Sequence, residues 1–116
     1  GDKADRRVKA AVVMAASSGV TNGTPLLQIH GSADGTVPYQ IGSDSYTHAS
    51  KPKFFLTLVG GSHSGEVRGG ALPAETAVTN SINAFLDRYV SGDPAGVARL
   101  RAAGTVKGLT TLDAQP

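Results

Sequence analysis

The sequence of 116 residues contains no cysteine and no tryptophan, and only 5% of its residues are aromatic. The absence of cysteine excludes disulfides, thiolate metal sites and cysteine nucleophiles, and it leaves the redox compartment open. No apolar run approaches the roughly 20 residues that span a bilayer, so we expect no transmembrane segment. The basic residues are scattered rather than interleaved with aromatics, which gives nucleic-acid binding no support. We therefore expect one globular domain, or part of one.

Charge and glycine patterns assign neither a compartment nor a cofactor. The net charge is only +2, and the first seven residues lack the apolar centre of a signal peptide. A secreted and a cytoplasmic location are both compatible with this sequence. Gly60 and Gly61 precede a histidine loop rather than a helix with a Lys-Ser/Thr pair, so no phosphate-binding motif is present. We predict no cofactor.

Three short apolar runs predict β-strands: Val8–Ala15, Leu26–His30 and Phe54–Val59. Each is almost continuously apolar, which is typical of strands covered on both faces. Such strands, connected by helices, predict a parallel sheet of the α/β class. Sheets commonly have about 4 to 6 strands, so three leave either exposed edges or a sheet that is completed elsewhere.

Helical patterns follow the second and third strands. Pro38–Ala49 is the predicted crossover helix, with Pro38 at its first position and Gly42 weakening it. The apolar spacing of Glu75–Val90 places one stripe on one helix face. Asp93 as an N-cap, followed by Pro94, predicts a short helix through Ala102 that Gly104 closes.

The end of the chain lacks a clear pattern. Residues 105–116 show no helical or strand period, and we expect a tail that is loosely held. The sequence thus predicts a folded portion over residues 1–103 and a tail over residues 104–116.

Asp34 and His63 each follow a predicted strand and lie in a glycine-rich turn. In an open parallel sheet, active sites form at the carboxyl ends of the strands. A carboxylate bound to one imidazole nitrogen fixes the tautomer, so that the other nitrogen can act as a general base. The simpler alternatives are that Asp34 is an ordinary Asp-Gly turn residue and that His63 is an exposed loop histidine.

Two motifs in this order carry a family resemblance: Thr24-Pro-Leu-Leu-Gln-Ile-His-Gly-Ser-Ala-Asp-Gly-Thr-Val-Pro38 and Leu58-Val-Gly-Gly-Ser-His63. They resemble the final third to half of α/β-hydrolase-fold serine hydrolases, in particular bacterial lipase/cutinase-like and dienelactone-hydrolase-like esterases. The resemblance implies that Asp34 is the catalytic acid and His63 the catalytic base. It also implies a partial α/β-hydrolase fold, with about three parallel strands and flanking helices, that lacks the N-terminal strands.

The nucleophile of that family is missing from the sequence. The family places a serine in a G-x-S-x-G elbow ahead of the acid and base, and this chain has no such elbow. Ser62 and Ser64 flank His63, but neighbours on an extended loop point apart and no strained turn presents either hydroxyl. Ser17 and Ser18 follow the first strand; they either line a substrate cleft or solvate a loop. We expect the nucleophile to lie upstream of Gly1.

The other histidines have simpler predicted roles. His30 ends a buried strand and is expected to form structural hydrogen bonds beneath the turn that carries Asp34 (residues 31–37, the acid turn). His48 is expected to be exposed. A metal site built from Asp34, His63 and either His30 or Glu66 is conceivable. No two histidines have a tight ligand spacing, so we predict no metal.

Two functional hypotheses follow. In the first, the chain is the acid- and base-carrying part of a serine carboxylic-ester hydrolase that acts on an ester substrate and is nearly inactive alone. A complementary N-terminal chain, or self-association through an exposed strand edge, would then complete the sheet. In the second, the chain is a non-catalytic fragment or an assembly or binding domain that keeps the end of the hydrolase fold.

Overall fold

The structure is a computed structural model that describes residues 9–14, 23–62 and 71–116; the side chains of residues 71–73 are not described. The elements in chain order are β1 (Ala11–Met14), β2 (Leu26–Gly31), α1 (Tyr39–His48), β3 (Lys53–Leu58), α2 (Ala71–Tyr89), α3 (Gly96–Ala103) and β4 (Thr110–Gln115). This order of strands and helices confirms the predicted α/β class.

The strands form one sheet in the order β1-β2-β3-β4. β2 pairs in parallel with β1 and with β3, which confirms the three predicted parallel strands. β4 adds an antiparallel strand beside β3, so the expectation of a loosely held tail is wrong. Only Leu112 and Ala114 of β4 pack against the core. An edge strand with one apolar face has no continuous apolar run, which is why the sequence pattern did not reveal it.

The apolar core lies between the sheet and helices α2 and α3. Its buried members are Leu27, Ile29, Phe54, Leu56, Leu58, Ala84, Phe85 and Leu100. The strand residues among them alternate along β2 and β3 and therefore point to one face of the sheet. Phe54 and Phe85 meet edge to face, with ring centroids 5.9 Å apart. Full burial of each such side chain stabilises the fold by about 1.5–3 kcal/mol.

The opposite face of the sheet is covered by α1. Tyr46 of α1 stacks on Phe55 of β3 with ring centroids 5.1 Å apart. Around this pair, the strand residues that face α1 include buried polar side chains: Gln28, His30, Lys53 and Thr57. The two faces of the sheet therefore differ in chemistry as well as in the helices that cover them.

Several predicted boundaries shift in the structure. α2 begins at Ala71 rather than Glu75, because Pro73 lies in the first helical turn, where its missing N–H group is not needed. Pro38 occupies the N-cap of α1 rather than its first helical position. α3 begins at Gly96, since Asp93 forms a turn instead of a cap: its Oδ1 accepts the Ala95 N–H at 2.9 Å.

Other predictions fall partly or wholly beyond the described residues. Of the strand predicted over Val8–Ala15, the structure shows Ala11–Met14, and residues 8 and 15 lie outside the described ranges. Gly104 closes α3 as predicted. Among the described helices, none combines the length and the apolar character that crossing a bilayer requires.

Candidate functional site at the strand ends

Asp34 sits in the turn that follows β2, and its side chain is fully buried. Its Oδ1 atom accepts the backbone N–H groups of Thr36 and Val37, both at 2.8 Å. This is the turn role that the simpler alternative predicted, and it fixes the orientation of the carboxylate. The carboxylate plane is thereby set by the backbone of its own turn.

The second carboxylate oxygen of Asp34 lies 3.3 Å from His30 Nε2. The same nitrogen lies 2.7 Å from the Val37 carbonyl oxygen. Since both partners are acceptors, Nε2 carries the hydrogen and donates it. This confirms the predicted hydrogen bonding of His30 beneath the acid turn. His30 is a positioning residue that ties the end of β2 to both sides of the turn.

Gly42, in the middle of α1, makes room for this histidine. A Cβ atom at residue 42 would lie only 2.3 Å from His30 Nδ1 and 2.8 Å from Cε1. The Gly42 carbonyl also accepts a 2.7 Å hydrogen bond from Gln28 Nε2. The residue that weakens the helix pattern in the sequence is therefore the residue that lets α1 close over the polar face of β2.

The turn after β2 and the loop after β3 are held together by backbone hydrogen bonds. The Ala33 N–H donates to the Gly61 carbonyl at 2.9 Å, and the Ser32 N–H donates to the Leu58 carbonyl at 3.0 Å. The Gly60 N–H donates to Ser32 Oγ at 2.7 Å. The contact is so close that a Cβ at Gly31 would lie 2.2 Å from the Gly61 oxygen. Only glycine at residue 31 permits this approach.

The structure covers part of the predicted site. Asp34 and Ser62 lie at the joined strand ends, and Ser62 is half-buried. His48, as predicted, is exposed at the end of α1, with Nδ1 2.8 Å from the Asp44 carbonyl oxygen. The remaining candidates lie outside the described residues: Ser17, Ser18, His63, Ser64 and Glu66.

The structure does not assemble a metal centre from the residues it describes. Within residues 9–14, 23–62 and 71–116, no three histidine, aspartate or glutamate side chains form a group that could hold an ion. Of the conceivable ligands, Asp34 and His30 do meet, but His30 uses its Nε2 hydrogen to donate to oxygen atoms. The His30 nitrogen that faces Asp34 therefore carries a hydrogen and is not available to a metal ion.

Two contacts of Tyr39 near the site were not predicted from the sequence, one between rings and one between hydroxyl groups. The rings of Tyr39 and His30 meet edge to face, with centroids 5.9 Å apart. The Tyr39 hydroxyl is 2.7 Å from Thr57 Oγ1 on β3. Tyr39 thus links His30, which supports the acid turn, to strand β3. The only sequence signal is its place directly after Pro38, where a helix was expected to begin beside the strand ends.

Comparison with models of known protein families and with curated proteins finds no match for this chain.

Proposed function

We propose that the chain is the acid- and base-carrying part of a serine carboxylic-ester hydrolase with an α/β-hydrolase fold. The observation that carries the proposal is the 2.9 Å hydrogen bond between Ala33, the neighbour of Asp34, and Gly61, two residues before His63. Gly61 is hydrogen-bonded to the acid turn, and His63 follows it by two residues. Since consecutive Cα atoms lie about 3.8 Å apart, the Cα atom of His63 is at most two such spacings from that of Gly61. The parallel order of β1, β2 and β3 fits the same fold.

The proposed chemistry assigns one role to each group. A serine from outside these 116 residues attacks the ester carbonyl while His63 takes its proton. His63 then passes that proton to the departing alkoxide, and Asp34 orients the imidazole and stabilises its protonated form. A water molecule, deprotonated by His63, attacks the acyl-serine; the carboxylic acid leaves and the serine regains its proton.

The isolated chain is expected to hydrolyse esters at close to the background rate. The nucleophile and the oxyanion hole each contribute orders of magnitude to such reactions, and neither is assigned to this chain. Activity should require a further segment that carries a G-x-S-x-G elbow.

The test is turnover of a chromogenic short-chain ester by the chain with and without the polypeptide encoded immediately upstream. We expect turnover only with both present. Asp34→Asn should lower kcat by about 10⁴-fold, the size of effect that loss of the acid has in a comparable triad. His63→Ala should abolish activity above background, while His48→Ala, at an exposed histidine, should leave it unchanged. Turnover that persists in His63→Ala, or no turnover by an assembled pair, would contradict the proposal.

A second candidate function is assembly, and one observation favours it. β1 lies at the edge of the sheet in the described part of the chain, it is apolar throughout, and Met14 is 51% exposed. Apolar edge strands are templates for pairing with another chain.

If β1 mediates assembly, sedimentation should show oligomers that Met14→Lys disperses. Val90→Lys, at a residue 49% exposed near the end of α2, is the matched control and should leave them intact. A monomeric wild-type chain would exclude this function.

A further inference from the structure

A groove of about 390 Å³ lies between α1 and strands β3 and β4, away from the apolar core. Its volume falls within the range of small-molecule sites, which is about 300–1,000 Å³. Aromatic residues of α1 and β3 form part of its lining, and Lys53 and Asp113 contribute opposite charges. The groove is separate from the turn that holds Asp34.

Lys53 is a buried cation that has no carboxylate partner among the residues that the structure describes. The residue is only 6% exposed, and Nζ donates to the carbonyl oxygens of Tyr46 at 2.9 Å and Thr47 at 3.2 Å. It also lies 4.7 Å from the centre of the Tyr46 ring. None of the ion pairs formed by the described residues includes Lys53. An ammonium has three N–H donors, so the two carbonyls leave one donor for another partner.

Asp113 supplies the opposite charge on the neighbouring strand, β4. It is exposed on β4 and pairs in register with Phe55, while Lys53 pairs with Gln115. Lys53 and Asp113 are therefore diagonal neighbours on the same face, at a typical spacing of about 7–8 Å. Phe55, whose ring stacks on Tyr46, is next to both: it pairs with Asp113 and lies two residues after Lys53 on the same strand. The two charges face one groove without neutralising each other directly.

We propose that this groove binds a small zwitterion of the free amino acid type, with its carboxylate on Lys53 and its ammonium on Asp113. A simple anion would be repelled by Asp113 and a simple cation by Lys53. A molecule that carries both charges can pair with Lys53 and with Asp113, and it brings no net charge into a partly buried site. This binding does not depend on the proposed ester hydrolysis.

The test is an NMR titration of the ¹⁵N-labelled chain with glycine, leucine and phenylalanine. We expect saturable shifts of backbone signals from α1 and β4. N-acetyl-leucine, which lacks the ammonium, and leucinamide, which lacks the carboxylate, should each bind at least about tenfold more weakly than leucine. A tenfold loss of affinity is at the low end of what losing one partner of a close charge pair causes.

Asp113→Asn sharpens the test because the residue is exposed and the variant is expected to fold. It should weaken leucine at least about tenfold, to about the affinity that N-acetyl-leucine has for the wild type, and it should not weaken N-acetyl-leucine. Asp87→Asn, at an exposed aspartate of α2, is the matched control and should change nothing. Failure of all three amino acids to bind, or equal binding of leucine and its two blocked forms, would overturn the proposal.

Discussion

The two faces of the sheet are built from the same strands and serve different purposes. Toward α2 and α3, β3 presents Phe54, Leu56 and Leu58, all part of a continuous apolar core. Toward α1 the same strand presents Lys53, Phe55 and Thr57, and the polar members have specific hydrogen-bond partners. Burial of apolar area stabilises the first face without directional requirements. The second face is held by contacts that require defined geometry.

This contrast assigns apolar burial to one face and directional polar contacts to the other. The acid turn, its supporting histidine and the groove that carries Lys53 all belong to the α1 side. Buried polar groups cost free energy unless their hydrogen-bond partners are in place. Substitutions on this side that displace such a partner should therefore destabilise the fold. Changes on the two faces should therefore differ in size and in kind.

The largest effect is expected on the apolar face. Phe85 is fully buried and its ring contacts Phe54 and Tyr89. Phe85→Ala should lower the free energy of unfolding by about 3–5 kcal/mol, because it removes apolar burial and leaves a cavity. Urea unfolding followed by circular dichroism measures this loss. Val90→Ala, at a half-exposed residue just after the same helix, should cost far less; similar losses at both positions would contradict the assignment of the core.

A smaller effect with an informative sign is expected at Gly42 on the polar face. In an isolated helix, glycine to alanine would stabilise by about 1 kcal/mol. Here the added Cβ would strike the His30 ring, so Gly42→Ala should destabilise by about 1–3 kcal/mol instead. Gly35→Ala is the control, since nothing lies within 4 Å of its added Cβ. A gain in stability at Gly42 would mean that α1 does not pack on His30 as described.

The smallest effect concerns Tyr46, whose hydroxyl donates to the Lys53 carbonyl at 3.2 Å. Tyr46→Phe should cost about 0.5–1.5 kcal/mol near neutral pH, the usual contribution of one hydrogen bond. Burial, with a further contribution from Asp113, raises the pKa of this hydroxyl far above its ordinary value. The folded state therefore favours the protonated phenol.

That raised pKa gives the substitution a pH dependence. The contribution of the Tyr46 hydroxyl is fully present below about pH 10, the ordinary tyrosine value, and it is lost as the pH rises further. The difference in unfolding free energy between the wild type and Tyr46→Phe should shrink above that pH. Urea unfolding at several alkaline pH values checks this, and a constant difference would show that the hydroxyl is not buried as described.

The same contrast explains which parts of the structure the sequence could predict. β2 and β3 were recognisable because residues such as Leu27 and Phe54 make their runs apolar. The polar face was harder to foresee, because Gln28 and Lys53 look like solvent-exposed positions until α1 covers them. Gly42 looked like a defect in a helix, since its reason is a histidine on another element. β4 was missed because its core face is only Leu112 and Ala114.

The position of Asp34 in the turn after β2 could be predicted, because an acid after a buried strand follows a general rule for parallel sheets. Its partner His30 could be inferred from its place at the end of the same strand. The hydrogen bonds that join Ala33 to Gly61 and Ser32 to Leu58 involve backbone atoms. No side-chain pattern encodes them, apart from the glycines that permit the close approach.

The central claim is that the Asp34 carboxylate and the His63 imidazole are hydrogen-bonded at the strand ends. Proton NMR of the chain with ¹⁵N-labelled histidine rings tests it directly. We predict a slowly exchanging His63 Nδ1–H signal that disappears in Asp34→Asn and persists in Asp44→Asn, at an exposed aspartate of α1. The His30 Nε2–H, which also donates to Val37, should remain in Asp34→Asn and report an intact turn. A His63 ring signal that is unchanged by Asp34→Asn, or absent from the wild type, would contradict the claim.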